Sequence, residues 1–114
     1  MVYDKAHELA KALKLSPEFR QYQEAKSRIS TNSENLKMVQ DFRVKQMEIQ
    51  TMQIMGQEIP PEKMRGYEKM AELLNYHPAV RDFLQAEYKV AQIFTDIQKI
   101  LAGAMDMELP EIKQ

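Results

Sequence analysis

Apolar residues recur with helical spacing along most of the chain, and this periodicity limits the fold more than any other feature of the sequence. In the first segment, Ala6, Leu9, Ala10 and Leu13 follow the i, i+3, i+4, i+7 spacing of an amphipathic helix. The sequence contains neither a sustained two-residue alternation nor an Asn-Gly or Asp-Gly hairpin turn. These patterns predict an all-α fold.

Prolines and glycines divide this pattern into about five helices. Pro17, Pro61 and Pro78 suit the first position of a helix, because proline lacks the N–H that would remain unpaired there. Gly56 and Gly103 are expected to end helices, since glycine adopts a left-handed backbone at low cost. The predicted helices cover residues 3–15, 17–30, 34–55, 61–75 and 78–102. We expect a single helical domain over residues 1–104 and a loosely ordered tail over residues 105–114.

The two longest predicted helices favour self-association. At 1.5 Å per residue they measure about 33 and 38 Å, whereas a compact chain of this length has a radius of gyration of about 13 Å. Both helices are apolar over a wide arc, and such a helix needs two packing partners. We therefore expect an antiparallel helical bundle that a homodimer or larger homo-oligomer completes. The residues expected in the core or the oligomer interface are Val39, Phe42, Met47, Ile49, Met52, Phe83, Val90, Phe94, Ile97 and Leu101.

The charge balance and the lack of cysteine exclude several functions. The chain has 16 basic and 17 acidic residues, and these are interspersed, so we expect no nucleic-acid partner. Without cysteine there is no disulfide, no thiolate nucleophile and no thiolate-held zinc or iron–sulfur cluster, and we predict no cofactor. No apolar run approaches the ~20 residues that span a bilayer, and the charged start does not fit a signal peptide. A cytoplasmic protein without membrane contact is expected.

Asp4, His7 and Glu8 share one face of the first helix and are the best candidates for metal ligands. Di-iron bundles need a second carboxylate–histidine motif and two further carboxylates, and this chain has no second motif. A solvated helix start is therefore favoured, and a metal-dependent enzyme is the last-ranked hypothesis.

Glu87 lies within the apolar stripe of the fifth helix. A charge partnered across a helix interface, or a position at the edge of the stripe, is favoured over a general acid. The sequence predicts no enzyme.

Methionines and a basic patch leave other hypotheses open. An adaptable methionine-rich groove could hold unfolded chains, although core or dimer contacts are favoured. The methionines concerned are Met38, Met47, Met52, Met55, Met64 and Met70. Arg20, Lys26 and Arg28 surround Tyr22, which could stack on RNA bases, but interspersed acidic residues favour a solvated face. The lead hypothesis is a non-enzymatic helical scaffold or regulatory adaptor, and the alternative is a holdase-like chaperone.

A weak internal repeat links two of the predicted helices. Residues 17–25 align without gaps on residues 78–86, which matches Tyr22 with Phe83. Two helices that both begin with proline share such a pattern by chance, and this explanation is favoured over a true duplication.

Four motifs, made of helix caps and core positions, extend over nearly the whole chain. They are Ser16-x-Glu18-Phe19 with Tyr22, Leu36…Phe42…Gln46, Gly56-Gln57-Glu58-Ile59 and Pro78-x-Val80-x-x-Phe83-Leu84-x-Ala86-Glu87. Their order resembles the YlbF/YmcA family of small bacterial proteins, and in particular its YheA-like branch. The resemblance implies a cytoplasmic all-helical oligomer. From better-studied members it implies a non-enzymatic role in a complex that assists RNA processing and promotes competence, sporulation and biofilm formation. Those members hold iron–sulfur clusters through cysteines, which this chain lacks, so no cofactor is carried over.

Overall fold

The computed structural model describes residues 1–107, and these residues form five α-helices and no strand. The helices are α1 (Val2–Lys14), α2 (Pro17–Ser30), α3 (Ser33–Ile54), α4 (Pro61–Leu74) and α5 (Pro78–Ala104). Proline is the first residue of α2, α4 and α5, as the sequence predicts. The predicted all-α fold with two long helices is therefore confirmed.

The described residues belong to two compact units. One unit contains Met1–Ser27 together with the chain from Phe83 onward, and the other contains Arg28–Asp82. A single domain over residues 1–104 stays a prediction. Of the tail expected to be loosely ordered, residues 108–114 lie outside the described residues.

Gly56 ends α3, as predicted from the sequence. Its φ is +69°, in the left-handed region that glycine adopts at low cost. The Gly56 N–H donates to the Gln53 carbonyl at 3.1 Å, and the Gln57 N–H donates to the Met52 carbonyl at 2.9 Å. These two hydrogen bonds form a Schellman motif and satisfy carbonyls that the end of a helix leaves unpaired.

The prediction that Gly103 ends α5 was wrong, because the helix continues to Ala104. A second pair of hydrogen bonds ends it, from the Asp106 N–H to the Gly103 carbonyl at 3.3 Å and from the Met107 N–H to the Ala102 carbonyl at 2.9 Å. Asp106 occupies the left-handed position with a φ of 52°. Aspartate tolerates this region better than most residues, so the left-handed residue that follows the helix lies three residues beyond the glycine.

In the unit Arg28–Asp82, α3 and α4 pack antiparallel. The rings of Phe42 and Tyr67 lie 5.4 Å apart, and Lys63 near the start of α4 pairs with Glu48 farther along α3. The buried apolar residues of this unit are Ile29, Val39, Phe42, Ile49, Leu74 and Val80. Packing of both helices through one apolar face gives this unit a core of its own.

In the unit that contains α1, aromatic rings form the main packed cluster. Tyr22 of α2 and Phe83 of α5 stack with ring centroids 5.7 Å apart, and Phe19 lies 6.1 Å from Tyr22. Tyr22 and Phe83 are matched positions of the weak sequence repeat, and the matched alanines Ala25 and Ala86 are both buried. Each alanine lies one helical turn from a stacked ring, so the two matched positions of the repeat share both ring stacking and burial.

Candidate protein-interaction surfaces

The side of α3 that faces away from its core carries a row of exposed apolar residues. The outer face of α3 consists of Val44, Met47, Ile54 and Met55, all of which are exposed. At 100° per residue they lie on the side opposite the buried Phe42. Of these, Met47 is 68% exposed. The helix is thus apolar on two sides, as the sequence indicated, and the chain's own packing covers one of them.

The distal half of α5, residues 90–104, carries a second exposed apolar row. The stripe that is buried at Phe83 and Ala86 continues along the same side of the helix to Phe94 and Leu101. Phe94 is 58% exposed, and Leu101 is also exposed. Full burial therefore ends at Ala86, about a third of the way along α5. Beyond it the apolar stripe continues with half-buried Val90 and Ile97 and exposed Phe94 and Leu101.

The ten residues predicted for the core or the oligomer interface fall into three groups. Buried are Val39, Phe42, Ile49 and Phe83; half-buried are Met52, Val90 and Ile97; exposed are Met47, Phe94 and Leu101. The last three do not belong to the core of the single chain, because Met47 lies on the outer face of α3 and the other two lie on distal α5. Their place in an oligomer interface stays a prediction.

Val44 is an exposed apolar residue that the sequence patterns did not single out. Ile54 and Ile100 belong to the wide apolar arcs of the two long helices, and Met55 is one of the methionines for which core or dimer contacts are favoured. Val44, Met47 and Ile54 follow i, i+3, i+10 spacing on α3. This spacing is the signal that would have separated the outer face from the core face.

An open groove of about 280 Å³ lies between α3 and α4. Its lining residues are Lys45, Glu48, Ile49, Glu62, Lys63 and Gly66. The Lys63 ammonium donates a hydrogen bond to the Glu48 carboxylate. This hydrogen bond and the positive charge of Lys63 hold the pKa of Glu48 below its ordinary value. The groove is charged and its lining contains no methionine, so it is not the methionine-rich groove that the sequence suggested.

The methionines of that predicted groove are divided between two environments. Met38 and Met52 of α3 and Met64 and Met70 of α4 are half-buried, whereas Met47 and Met55 are exposed. Half-buried methionines beside a helix–helix contact fill irregular space in a core. The two exposed ones belong to the outer face of α3.

The candidates for metal ligands, Asp4, His7 and Glu8, lie on exposed helix surface. Asp4 pairs with the N-terminal ammonium at 3.3 Å and Lys5 pairs with Glu8 at 3.3 Å. Within residues 1–107, no group of three or more histidine, cysteine, aspartate or glutamate side chains could hold a metal ion. His7 is exposed and Glu87 is half-buried.

The predicted basic patch is partly neutralised by an acidic partner. The Arg28 guanidinium lies 3.3 Å from the Asp82 carboxylate, at the start of α5. Arg81 lies 3.4 Å from the same side chain. Pairing of this kind reduces the positive potential that a phosphate backbone would meet.

Over the part of the chain that the structure describes, no helix has the length and apolar character needed to cross a membrane.

Comparison with known proteins identifies the family. A family model described as control of competence regulator ComK, YlbF/YmcA, matches residues 2–106. A UPF0342 protein from Halothermothrix orenii is 39% identical, over 96% of this chain and 93% of that protein. A UPF0342 protein from Symbiobacterium thermophilum is 36% identical, over 98% of this chain and 100% of that protein.

A solved structure has a similar fold. The protein of unknown function (DUF964) from Bacillus stearothermophilus superposes with a TM-score of 0.77 and 18% identity, over 92% of each chain. At this level of identity the likeness concerns the fold alone. Membership of the YheA-like branch stays a prediction. Since the matched region extends from α1 to the end of α5, the chain belongs to the YlbF/YmcA family.

Proposed function

We propose that this chain is a non-enzymatic, homo-oligomeric regulatory adaptor of the cytoplasm, and that it binds a protein partner through the outer face of α3. Apolar residues on that face are the observation that supports the proposal. Val44, Met47, Ile54 and Met55 are exposed on a helix whose opposite side already has a core. Contiguous exposed apolar surface on a helical protein is typical of a site that binds another chain.

The family description supports the regulatory part of the proposal. Control of the regulator ComK is stated for the family, and an adaptor that binds a protein partner fits such a role. The resemblance to members that assist RNA processing fits the same role, with the nucleic acid contacted by the partner. The near-even charge of this chain gives it little attraction for a phosphate backbone.

The adaptor hypothesis is tested by comparing partner capture with two matched variants. Tagged chains carrying Met47→Glu or Leu73→Glu are expressed in the native bacterium and purified after cross-linking. Both positions are exposed and apolar in the single chain, but Leu73 lies on α4, away from the outer face of α3. We expect one reproducible set of partners with wild type and Leu73→Glu. That set should be reduced about tenfold or more by Met47→Glu, because a carboxylate buried without a counter-charge is costly.

Equal capture by the two variants would refute the outer face of α3 as the binding site. If wild type captures no reproducible partner, the adaptor hypothesis itself is refuted. Far-UV circular dichroism of both purified variants should show wild-type helicity, so that a loss of capture reflects binding and not unfolding.

A holdase-like chaperone is the second candidate, and the exposure of Met47 and Met55 on one helix face favours it. Flexible methionine side chains adapt to varied apolar partners. A holdase at equimolar concentration should suppress the thermal aggregation of an unrelated model protein, and Met47→Glu should weaken the suppression. An adaptor should leave aggregation unchanged.

A further inference from the structure

We infer that distal α5 is the surface through which two copies of this chain associate, with the two α5 helices antiparallel about a two-fold axis. The inference rests on the self-association proposed above and specifies its interface. The occupant is a second copy, because the distal stripe is self-complementary. Its seam positions are Val90, Phe94, Ile97 and Leu101, alternately four, three and four residues apart. This spacing is the a/d pattern of a two-helix seam.

An antiparallel register pairs these seam residues in complete layers. With the axis near residue 95, Phe94 of each copy meets Ile97 of the other, and Val90 meets Leu101. Each layer is apolar on both sides. Phe94, Ile97 and their symmetry mates form the centre of the contact, which is where buried aromatic anchors contribute most to binding.

The positions that flank the seam also suit self-pairing. In an antiparallel pair, each flank of one helix contacts the equivalent flank of the other helix, so that a flank contacts residues of the same kind. The edges of distal α5 are Ala91 and Gln98 on one side and Ile93 and Ile100 on the other, none of which is charged. The charged residues of this stretch, Asp96 and Lys99, lie on the opposite side of the helix, where Gln92 donates to Asp96 at 3.0 Å. Burial of the seam from Val90 to Leu101 therefore desolvates no charge.

The outer face of α3 does not have this property. Its seam is Lys37, Gln40, Val44, Met47, Thr51 and Ile54. Self-pairing in the antiparallel register that brings Val44 against Met47 would place Asp41 opposite Glu48 of the other copy, and like charges across a seam repel. It would also bury Lys37 against Ile54. The two exposed surfaces thus differ in partner, and α5 is the one that fits a second copy.

Steric considerations favour the antiparallel over the parallel orientation. The proximal half of α5 is already covered in its own chain, where Phe83 stacks on Tyr22. A parallel pair would bring the two covered halves side by side and hold the distal halves apart. An antiparallel pair overlaps the distal halves and places the covered halves at opposite ends.

Three exposed side chains of distal α5 provide the apolar centre of a contact. Phe94, Ile100 and Leu101 are each more than half exposed, which leaves on the order of 100 Å² of apolar surface per side chain. A standard interface buries roughly 800 Å² per partner, and these three side chains supply its apolar centre.

Engineered cysteines test the orientation, and the native chain contains no cysteine to interfere. Val90→Cys and Leu101→Cys chains are prepared separately, mixed and oxidised. The antiparallel interface predicts a disulfide dimer in the mixture and little in either chain alone. A Leu101→Cys chain that links mainly to itself would overturn the antiparallel register. A Met47→Cys chain that links to itself while the α5 mixture does not would overturn the assignment to α5.

Charge substitution tests the surface independently. Light scattering of wild type, Phe94→Glu and Met47→Glu at micromolar concentration should show a dimer or larger assembly for wild type and Met47→Glu. For Phe94→Glu we expect a dissociation constant raised by at least about 100-fold. If Phe94→Glu associates like wild type, the α5 interface is wrong although self-association stands. If wild type itself is a monomer, the proposed self-association fails as well.

Discussion

Replacing Phe83 by alanine should destabilise the folded chain strongly, whereas the same change at Phe94 should act through self-association. Phe83 is 4% exposed, and its ring stacks on Tyr22 at 5.7 Å between centroids. Phe94 lies on the same stripe of the same helix but is 58% exposed in the single chain. The two positions thus compare one substitution in two environments on one helix.

The magnitude for Phe83→Ala follows from its burial. Removing a fully buried phenylalanine costs about 3–5 kcal/mol, which includes the lost transfer free energy and the cavity that remains. The stacked pair with Tyr22 accounts for about 0.5–1.5 kcal/mol beyond the buried area, so the upper part of the range is expected. For a chain of this length, the melting temperature should fall by roughly 10–25 °C. Phe94→Ala removes less buried surface within the chain and should cost about 1 kcal/mol or less in the monomer.

Urea denaturation followed by circular dichroism at 222 nm measures both effects. Each variant is unfolded at two protein concentrations that differ by about 100-fold. The loss for Phe83→Ala should be present at both concentrations, since the packing lies within the chain. The loss for Phe94→Ala should grow with concentration, because wild type gains stability from association that the variant lacks. If Phe83→Ala costs less than about 1 kcal/mol, the aromatic cluster of this unit does not stabilise the fold as its burial indicates.

Three further predictions concern helix ends and one ion pair. Gly56→Val should destabilise the fold by about 1–2 kcal/mol, because a β-branched residue resists a φ of +69°. No atom lies within 4 Å of the added Cβ, so the cost comes from the backbone alone, and a melting temperature equal to that of wild type would contradict this. Asp106→Gly should stabilise by up to about 1 kcal/mol in urea denaturation, since glycine relieves a φ of 52°, and a loss of stability would contradict it. The pKa of Glu48 is lower in the folded chain than the ordinary glutamate value of 4.5, because Lys63 pairs with its carboxylate. This pairing therefore stabilises the fold at a pH above 4.5, and its contribution is lost as the pH falls through the lower folded pKa. The melting temperatures of wild type and Lys63→Gln should therefore differ most near neutral pH and converge in acid, and a constant difference would contradict this.

Local sequence signals were sufficient for the elements of the fold. The starts at Pro17, Pro61 and Pro78 and the end at Gly56 were all predicted, because each depends on the backbone of one or two residues. The exception is Gly103, which lies inside α5. A glycine within a helix costs only about 1 kcal/mol, and the hydrogen bonds of the Asp106 and Met107 N–H groups end the helix just beyond it. Whether a glycine ends a helix therefore depends on the residues that follow it.

Periodicity also predicted which helices are apolar on more than one side, but it could not show which side the chain itself covers. Among the candidates for the core or the oligomer interface, Val39, Phe42 and Ile49 are buried, whereas Met47 lies on the outer face of α3. On α5, one uninterrupted stripe contains both the buried Phe83 and the exposed Phe94. The sequence alone determined the helices, their boundaries apart from the end of α5, and their apolar stripes, because these depend on neighbours along the chain. Only the tertiary structure decided how far each stripe is covered, since burial depends on contacts between residues that are distant in sequence, and those contacts end partway along α5.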